Sequence, residues 1–342
     1  MVCPVVLAIA DLLLFCLFCS FYRAVSKEFK GKEIEKGIAV PTCVSVNHCV
    51  GHFSPLADNT SEIKDGDLVK VDLGCHIDGY TAQAAHTFLV QQDATAPVTG
   101  RAADVVQAAA TCYEAAARLI RPGKKISEVA PVLAQIAESY NCQLVEGVMS
   151  HQMQRFIIDA GKVVLNRPNP EQRIEDAEFS EGEVYAIDII MSTGDGKPKM
   201  HDERETTVYK RALDVQYQLK IKAARELYNE ITKKFPTMLF SLRGLEDGGA
   251  GKTRLGLADC LAHGLLQAYP VTYEKPGDLV AQVKGTFLLM PNGSSDRITS
   301  TTLQTLQTDK EVQNEEIKAL LATSLKKKKG KKAAKEAAKE GA

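Results

Sequence analysis

From Asp67 to Val90 the chain is a run of β-forming, largely apolar positions with one carboxylate, Asp72, set among aliphatic neighbours. Asp78-Gly79 divides the run, and a D-G pair between two strand-like segments predicts a tight hairpin. The period then changes. Arg101 to Ile120 is Ala-rich with apolar residues at helical spacing, and Pro122-Gly123 stops it. A second helix is expected from an N-cap at Ser127 to about Asn141, with Pro131 in the first turn, where proline is tolerated. Glu183 to Met191 reads as a buried strand, with Glu203 to Lys210 expected to pair with it across "GDGKPK". Asp214 is expected to cap a helix running to Phe235, before Pro236, and another helix is expected over Leu255 to Gln267. Leu279 to Met290 reads as a strand closed by "PNG", followed by an amphipathic helix from about Asp309 to Thr323.

The pattern also repeats. "DGDLVKVD" (Asp65 to Asp72) matches "EGEVYAID" (Glu181 to Asp188): an acidic-Gly-acidic turn, an aliphatic, two variable residues, an aliphatic and Asp. Two such units imply two related β-rich halves with matching inward carboxylates.

Composition sharpens this picture in three places. The chain has 342 residues, 45% hydrophobic and 25% charged, as in a soluble globular protein. Its net charge of −1 hides an asymmetry, because Lys326 to Ala342 holds eight Lys and two Glu. An acidic body with a basic tail points to contact with nucleic acid or another anionic surface; the bland alternative is a solubilising end, expected to be disordered. The nine Cys are mostly isolated in apolar segments, which favours free thiols and a reducing compartment, and the Cys16/Cys19 pair has no partner pair at zinc spacing. Val5 to Phe21 is nearly all apolar but short for a membrane span and lacks a basic flank before it. A marginal anchor, a poor signal and a leader foreign to the fold all fit; the free Cys favour the last, over residues 1–24.

For chemistry, Asp72, Asp188 and His151 are candidate metal ligands, since paired-metal hydrolysis needs converging carboxylates and His. The bland readings are a buried hydrogen-bonded Asp and a structural His. The motifs "GIAVPTCVSVNHCVGHFSPL", "DGDLVKVDLGCHIDGYTAQAAHTF", "GEVYAIDIIMSTGDGKPK" and "VAQVKGTFLLMPNG" resemble, in order, those of type 2 methionine aminopeptidases. With the tail "EVQNEEIKALLATSLKKKKGKK" they resemble still more the non-peptidase branch of proliferation-associated, or ErbB-receptor-binding, proteins.

The resemblance implies an α+β pita-bread fold (creatinase/methionine aminopeptidase-like) over residues 25–323, with a helical insert at about 212–270 and a basic tail at 324–342. It maps the peptidase's five metal ligands onto Asp72, Gln83, His151, Asp188 and Lys284, and two substrate-side His onto His52 and Asp159. Gln83 is a poor ligand and Lys284 puts an ammonium where a dication belongs, so Lys284 is expected to neutralise Asp72 and Asp188, with no cofactor and no tightly bound metal. An active metal-dependent methionine aminopeptidase is the rival reading. RNA and ribosomal particles are the implied partners, through Lys326, Lys327, Lys328, Lys329, Lys331 and Lys332, with Lys220, Lys222 and Arg225 as further contacts and regulatory proteins as further partners. Cytoplasm, nucleus and nucleolus are the implied locations; membrane association is not expected. "GGAGKT" (Gly248 to Thr253) lacks the first Gly of a P-loop, which falls on Glu246, and reads as a surface loop between helices. "IKALL" (Ile317 to Leu321) is similar to an L-x-x-L-L box, with helical core packing the simpler reading.

Overall fold

The computed structural model describes residues 34–325 except 57, 94, 169–174, 249 and 301, and only the backbone of 246–248 and 250–252. The apolar leader and the six tail lysines Lys326, Lys327, Lys328, Lys329, Lys331 and Lys332 lie outside the described residues.

The described strands are, in chain order, β1 (Lys36–Val46), β2 (Cys49–Gly51), β3 (Leu68–Ile77), β4 (Tyr80–Leu89), β5 (Gln143–Leu144), β6 (Met149–Met153) and β7 (Val163–Leu165). They continue with β8 (Val184–Ser192), β9 (Val208–Arg211), β10 (Phe240–Ser241), β11 (Leu266–Tyr269), β12 (Thr272–Tyr273), β13 (Val280–Leu289) and β14 (Ser295–Arg297). The helices are α1 (Gly100–Leu119), α2 (Val129–Ser139), α3 (Lys222–Lys234), α4 (Ala250–Ala262) and α5 (Glu315–Ala322). The main sheet runs β1-β3-β4-β13-β8-β6-β7, with β14 on β13 and β5 on β8.

Period-two alternation gives this sheet two different faces. On β8 and β13, Ile187, Ile189, Met191, Ala281, Val283 and Phe287 join the core under α1, α2 and α5. Their neighbours Asp188, Gln282 and Lys284 turn to the other face and line a cavity. Alanines at 103, 108, 109, 115, 116 and 117 are buried, so α1 can lie close to the sheet. Gly285 completes the fit, because a Cβ there would overlap the Tyr113 hydroxyl of α1.

The hairpin forms as the D-G pair requires. Asp78 (φ 53°) and Gly79 (φ 77°) are both left-handed, the signature of a type I′ turn. Gly79 is also packed against the Phe156 ring, 2.5 Å from where a Cβ would sit. The repeat is realised too. Gly66 and Gly182 turn the chain at positive φ, and Asp72 and Asp188 each occupy the fifth position of the strand that follows.

Other expectations are corrected. Glu203 to Lys210 does not pair with β8. Residues Glu203–Glu205 form a 3-10 turn, and β9 pairs with β10 and β11 in a separate three-stranded sheet, while β13 and β6 flank β8. Around that small sheet a second core gathers Tyr209, Leu219, Leu227, Ile231, Phe240, Leu257 and Cys260. Asp214 caps nothing. Leu219 is drawn into this core before the helix begins at Lys222, and Arg225 donates to the freed carbonyls of Leu219 (3.2 Å) and Lys220 (2.7 Å). Helix α4 starts five residues earlier than expected and ends at Ala262, so Ala250 to Thr253 of "GGAGKT" are helical rather than loop. Gly256 lets α4 approach α3 closely, 3.0 Å from the Ala223 carbonyl by its Cβ position. Ser127 lies in a 3-10 turn and bonds Asp176 (2.9 Å), so α2 begins after it. Helix α5 begins at Glu315, capped by the Asn314 side chain, because Thr308 and Lys310 are held by Asp104 of α1. Ile317 of "IKALL" is buried in the main core, with Leu320 and Leu321 packed against it. The six cysteines among the described residues are free thiols, and no described helix is long and apolar enough to cross a membrane.

One buried cation was not anticipated. Lys70 of β3 is 1% exposed, and its ammonium donates to the carbonyls of Asn47 (2.9 Å) and Val280 (3.0 Å). It thereby ties the β1–β2 turn to the start of β13. Burial pushes its pKa down to about 7 from 10.5. A lysine depressed in this way costs stability fully below pH 7, and the cost fades as pH rises to 10.5. In urea unfolding, the stability of the wild type relative to Lys70→Met should therefore rise between pH 7 and about 9.5. A stability difference that stays constant across that window would contradict the assignment.

Candidate functional site

Four adjacent strands place three charges in one row. Asp72 of β3 faces Ala85 of β4, Ala85 faces Lys284 of β13, and Lys284 faces Asp188 of β8. The small Ala85 side chain leaves the lysine free to reach across. Its ammonium lies 2.6 Å from Asp72 Oδ2 and 2.8 Å from Asp188 Oδ2. Gln282, two residues earlier on the same face, donates to Asp188 Oδ1 (2.9 Å) and, more weakly, to Asp72 Oδ2 (3.4 Å).

These groups are buried, so their electrostatics are strong. Burial alone would lower the Lys284 pKa, but Asp188 and Asp72 together hold it well above the usual lysine range. Burial pushes the Asp72 carboxyl up against the pull of Lys284, and the nearby Asp188 adds to the upward push. One ammonium facing two carboxylates leaves the cluster with a residual negative charge when all three are ionised. Removing the lysine from such a buried group leaves uncompensated carboxylates, which costs about 3–5 kcal/mol.

The other expected positions surround this row without joining it. Gln83 is 2% exposed; its backbone amide donates to the Thr286 hydroxyl (2.8 Å), and its side-chain amide points to the Met153 sulfur (3.2 Å). His151 of β6 lines the same cavity, and its Nδ1 is buried without a hydrogen-bond partner. Burial, reinforced by Lys284, lowers its pKa and keeps the ring neutral. His52 sits at φ 62°, with Nδ1 3.3 Å from the Pro270 carbonyl and its ring edge-on to Tyr269. Asp159 is ion-paired with Lys210 at the cavity edge. Gln282 and Lys210 were not singled out from sequence. The period-two spacing of Gln282 from Lys284 was a usable signal; nothing local marks Lys210.

The cavity is about 520 Å³. Its walls include Val40, Val50, Val148, Ile158, Ile190 and Leu239, with the charged row among its polar lining residues. The paired-metal centre implied by the resemblance does not fit these residues. The position facing both carboxylates is taken by the Lys284 ammonium, and Gln83 is turned to a thioether. Among the described residues no three His, Cys, Asp or Glu side chains converge as metal ligands. Of the basic residues expected in the helical insert, Lys220 is exposed and precedes the helix, Lys222 faces Glu226 (3.7 Å), and Arg225 holds the two carbonyls named above.

The row makes a quantitative demand on stability. Lys284→Met should lower the unfolding free energy by about 3–5 kcal/mol. Adding Asp72→Asn and Asp188→Asn should recover much of that loss in urea titrations. Additive losses in the triple variant would show that the three charges are not coupled.

The sequence profile of metallopeptidase family M24 matches residues 21–223. ErbB-3 binding protein 1 of Solanum tuberosum is 55% identical over 310 residues, 88% of this chain and 78% of that protein. Proliferation-associated protein A of Dictyostelium discoideum is 46% identical over 307 residues, 89% of this chain and 79% of that protein. The solved structure of a thermophilic Arx1 is similar at a TM-score of 0.80 and 27% identity, covering 91% of this chain and 89% of that one. The sheet described above, with helices packed on one face and a cavity on the other, is the pita-bread fold, and the chain belongs to metallopeptidase family M24, in the branch of the proliferation-associated and ErbB-3-binding proteins.

Proposed function

We propose that this chain is a non-enzymatic member of its family: an RNA- and ribosome-associated regulator of growth, acting in ribosome biogenesis and translation. The observation that carries the loss of catalysis is the Lys284 ammonium between Asp72 and Asp188. A dication brought there meets a fixed positive charge at the distance where its own ligands should be, and like charges 4 Å apart repel by about 4 kcal/mol per unit pair at an effective dielectric of 20. The family's hydrolytic chemistry needs a metal to activate water, and this cluster opposes one. The names of the two relatives speak of binding and proliferation rather than of hydrolysis.

The binding function rests on two supports. The first is the basic segment from Lys326 to Ala342, with eight Lys and two Glu. It has no aromatic residue for base stacking, so it fits phosphate contact of low sequence specificity. The second is the resemblance to a branch whose members associate with RNA and ribosomes. A relative named for binding ErbB-3 adds a regulatory protein as a further partner. In this reading the body over residues 25–323, with its insert at about 212–270, is a platform. The tail at 324–342 is the nucleic-acid contact, and the protein works in cytoplasm, nucleus and nucleolus.

Two measurements test the two halves of the proposal. The full chain supplied with Co2+ or Mn2+ should release no methionine from a Met-initiated peptide; turnover would establish the rival reading of an active aminopeptidase. Crosslinking to RNA and ribosomes should fall sharply when residues 324–342 are removed and should weaken as salt rises. Equal recovery with and without the tail would remove its assigned role.

A further inference from the structure

Outside the cavity lining, two loops bring carboxylates to one point. One loop follows β8 through Thr193, Gly194 and Asp195; the other follows β12 through Glu274 to Asp278. Glu274 is 2% exposed, and neither of its carboxylate oxygens has a hydrogen-bond partner. The Ser192 hydroxyl and the Gly196 amide face it without meeting hydrogen-bond geometry, and that hydroxyl accepts from the Gly194 amide instead (2.9 Å). Asp278 comes in from the side. A Cβ on Gly194 would lie 3.0 Å from Glu274 Oε2 and would overlap Asp278 Oδ2, so both carboxylates reach into the space this glycine leaves. The Thr193 hydroxyl adds a third oxygen, 3.4 Å from Asp278 Oδ1. The lysine of the same turn makes its ion pair elsewhere: Lys275 reaches Asp195 at 2.9 Å, and Glu274 and Asp278 act on it only as more distant charges.

A buried carboxylate whose oxygens complete no hydrogen bond and no ion pair is costly. Here it stands beside a second carboxylate, with oxygen as the shared donor type and an open side at the half-buried Asp278. We propose that Glu274 and Asp278, with the Thr193 hydroxyl, form a binding site for a hard divalent cation of the calcium type that pins the two loops together. Calcium takes about six to eight oxygens in flexible geometry. No group of three His, Cys, Asp or Glu side chains gathers among the described residues, so hydroxyl, carbonyl and water oxygens complete the shell. The site is separate from the Lys284 row, where the protein supplies its own cation. It is linked to the cavity nonetheless. The Glu146 amide donates to the Gly196 carbonyl (2.9 Å), and Glu146, Pro198 and Thr272 line the cavity. A cation there steadies the rim of the platform.

The test uses the full chain, stripped with chelator and titrated with CaCl2 by calorimetry and thermal unfolding. The expected result is saturable binding of one Ca2+ per chain with a rise in the unfolding midpoint. Both are lost in Glu274→Gln and in Asp278→Asn, and both are kept in Asp195→Asn. A calcium response unchanged by Glu274→Gln would overturn the site. So would a wild type that ignores calcium while Glu274→Gln raises the midpoint in chelator, because Glu274 would then be a buried acid relieved by neutralisation.

Discussion

The structure is organised around one buried ammonium. Lys284 sits between two carboxylates that come from strands on either side of its own neighbourhood in the sheet, β3 and β8. Ionised carboxylates so close together in a low-dielectric interior repel and lose their hydration, so the fold requires a cation between them. Relatives that run metal hydrolysis meet that need with ions. This chain meets it in part with a side chain, the Lys284 ammonium, which offsets one of the two carboxylate charges.

The row depends on register across four strands. A one-residue slip of β13 would send Lys284 to the helix face and bring Val283 or Gly285 to the carboxylates, neither of which carries a charge. Register is held from the opposite side of the same strand, where Val283 and Phe287 pack under α1 and Gly285 leaves room for the Tyr113 hydroxyl. Core packing on one face thus positions charge on the other. Lys70 does related work nearby, holding the start of β13 through the Val280 carbonyl.

Local chemistry was legible in the sequence, and non-local pairing was not. The Asp78-Gly79 turn is a two-residue preference for left-handed backbone, and it forms as read. The acidic-Gly repeat marked both turns and both inward carboxylates for the same reason. The partner of β9 was misread because proximity in sequence favoured β8, whereas Tyr209 packs in a second core with Phe240 and Leu266. Helix starts were misread where an Asp or Ser cap signal lost to a tertiary demand, as at Asp214, where Leu219 is buried ahead of the helix. Within the site, the positions themselves came from family resemblance, but the function of Lys284 followed from charge alone. Gln282 and Lys70 went unread because a polar residue in a strand reveals its partners only once the neighbouring strands are known.

With the Lys284 ammonium between Asp72 and Asp188, the pita-bread fold keeps a cavity of about 520 Å³ lined by that row. The most direct test of that account is diffraction from crystals of the full chain soaked in MnCl2, collected at the manganese edge. The account predicts no anomalous peak between Asp72 and Asp188, with the Lys284 ammonium in contact with both. A manganese ion between those carboxylates, with Lys284 swung away, would contradict it.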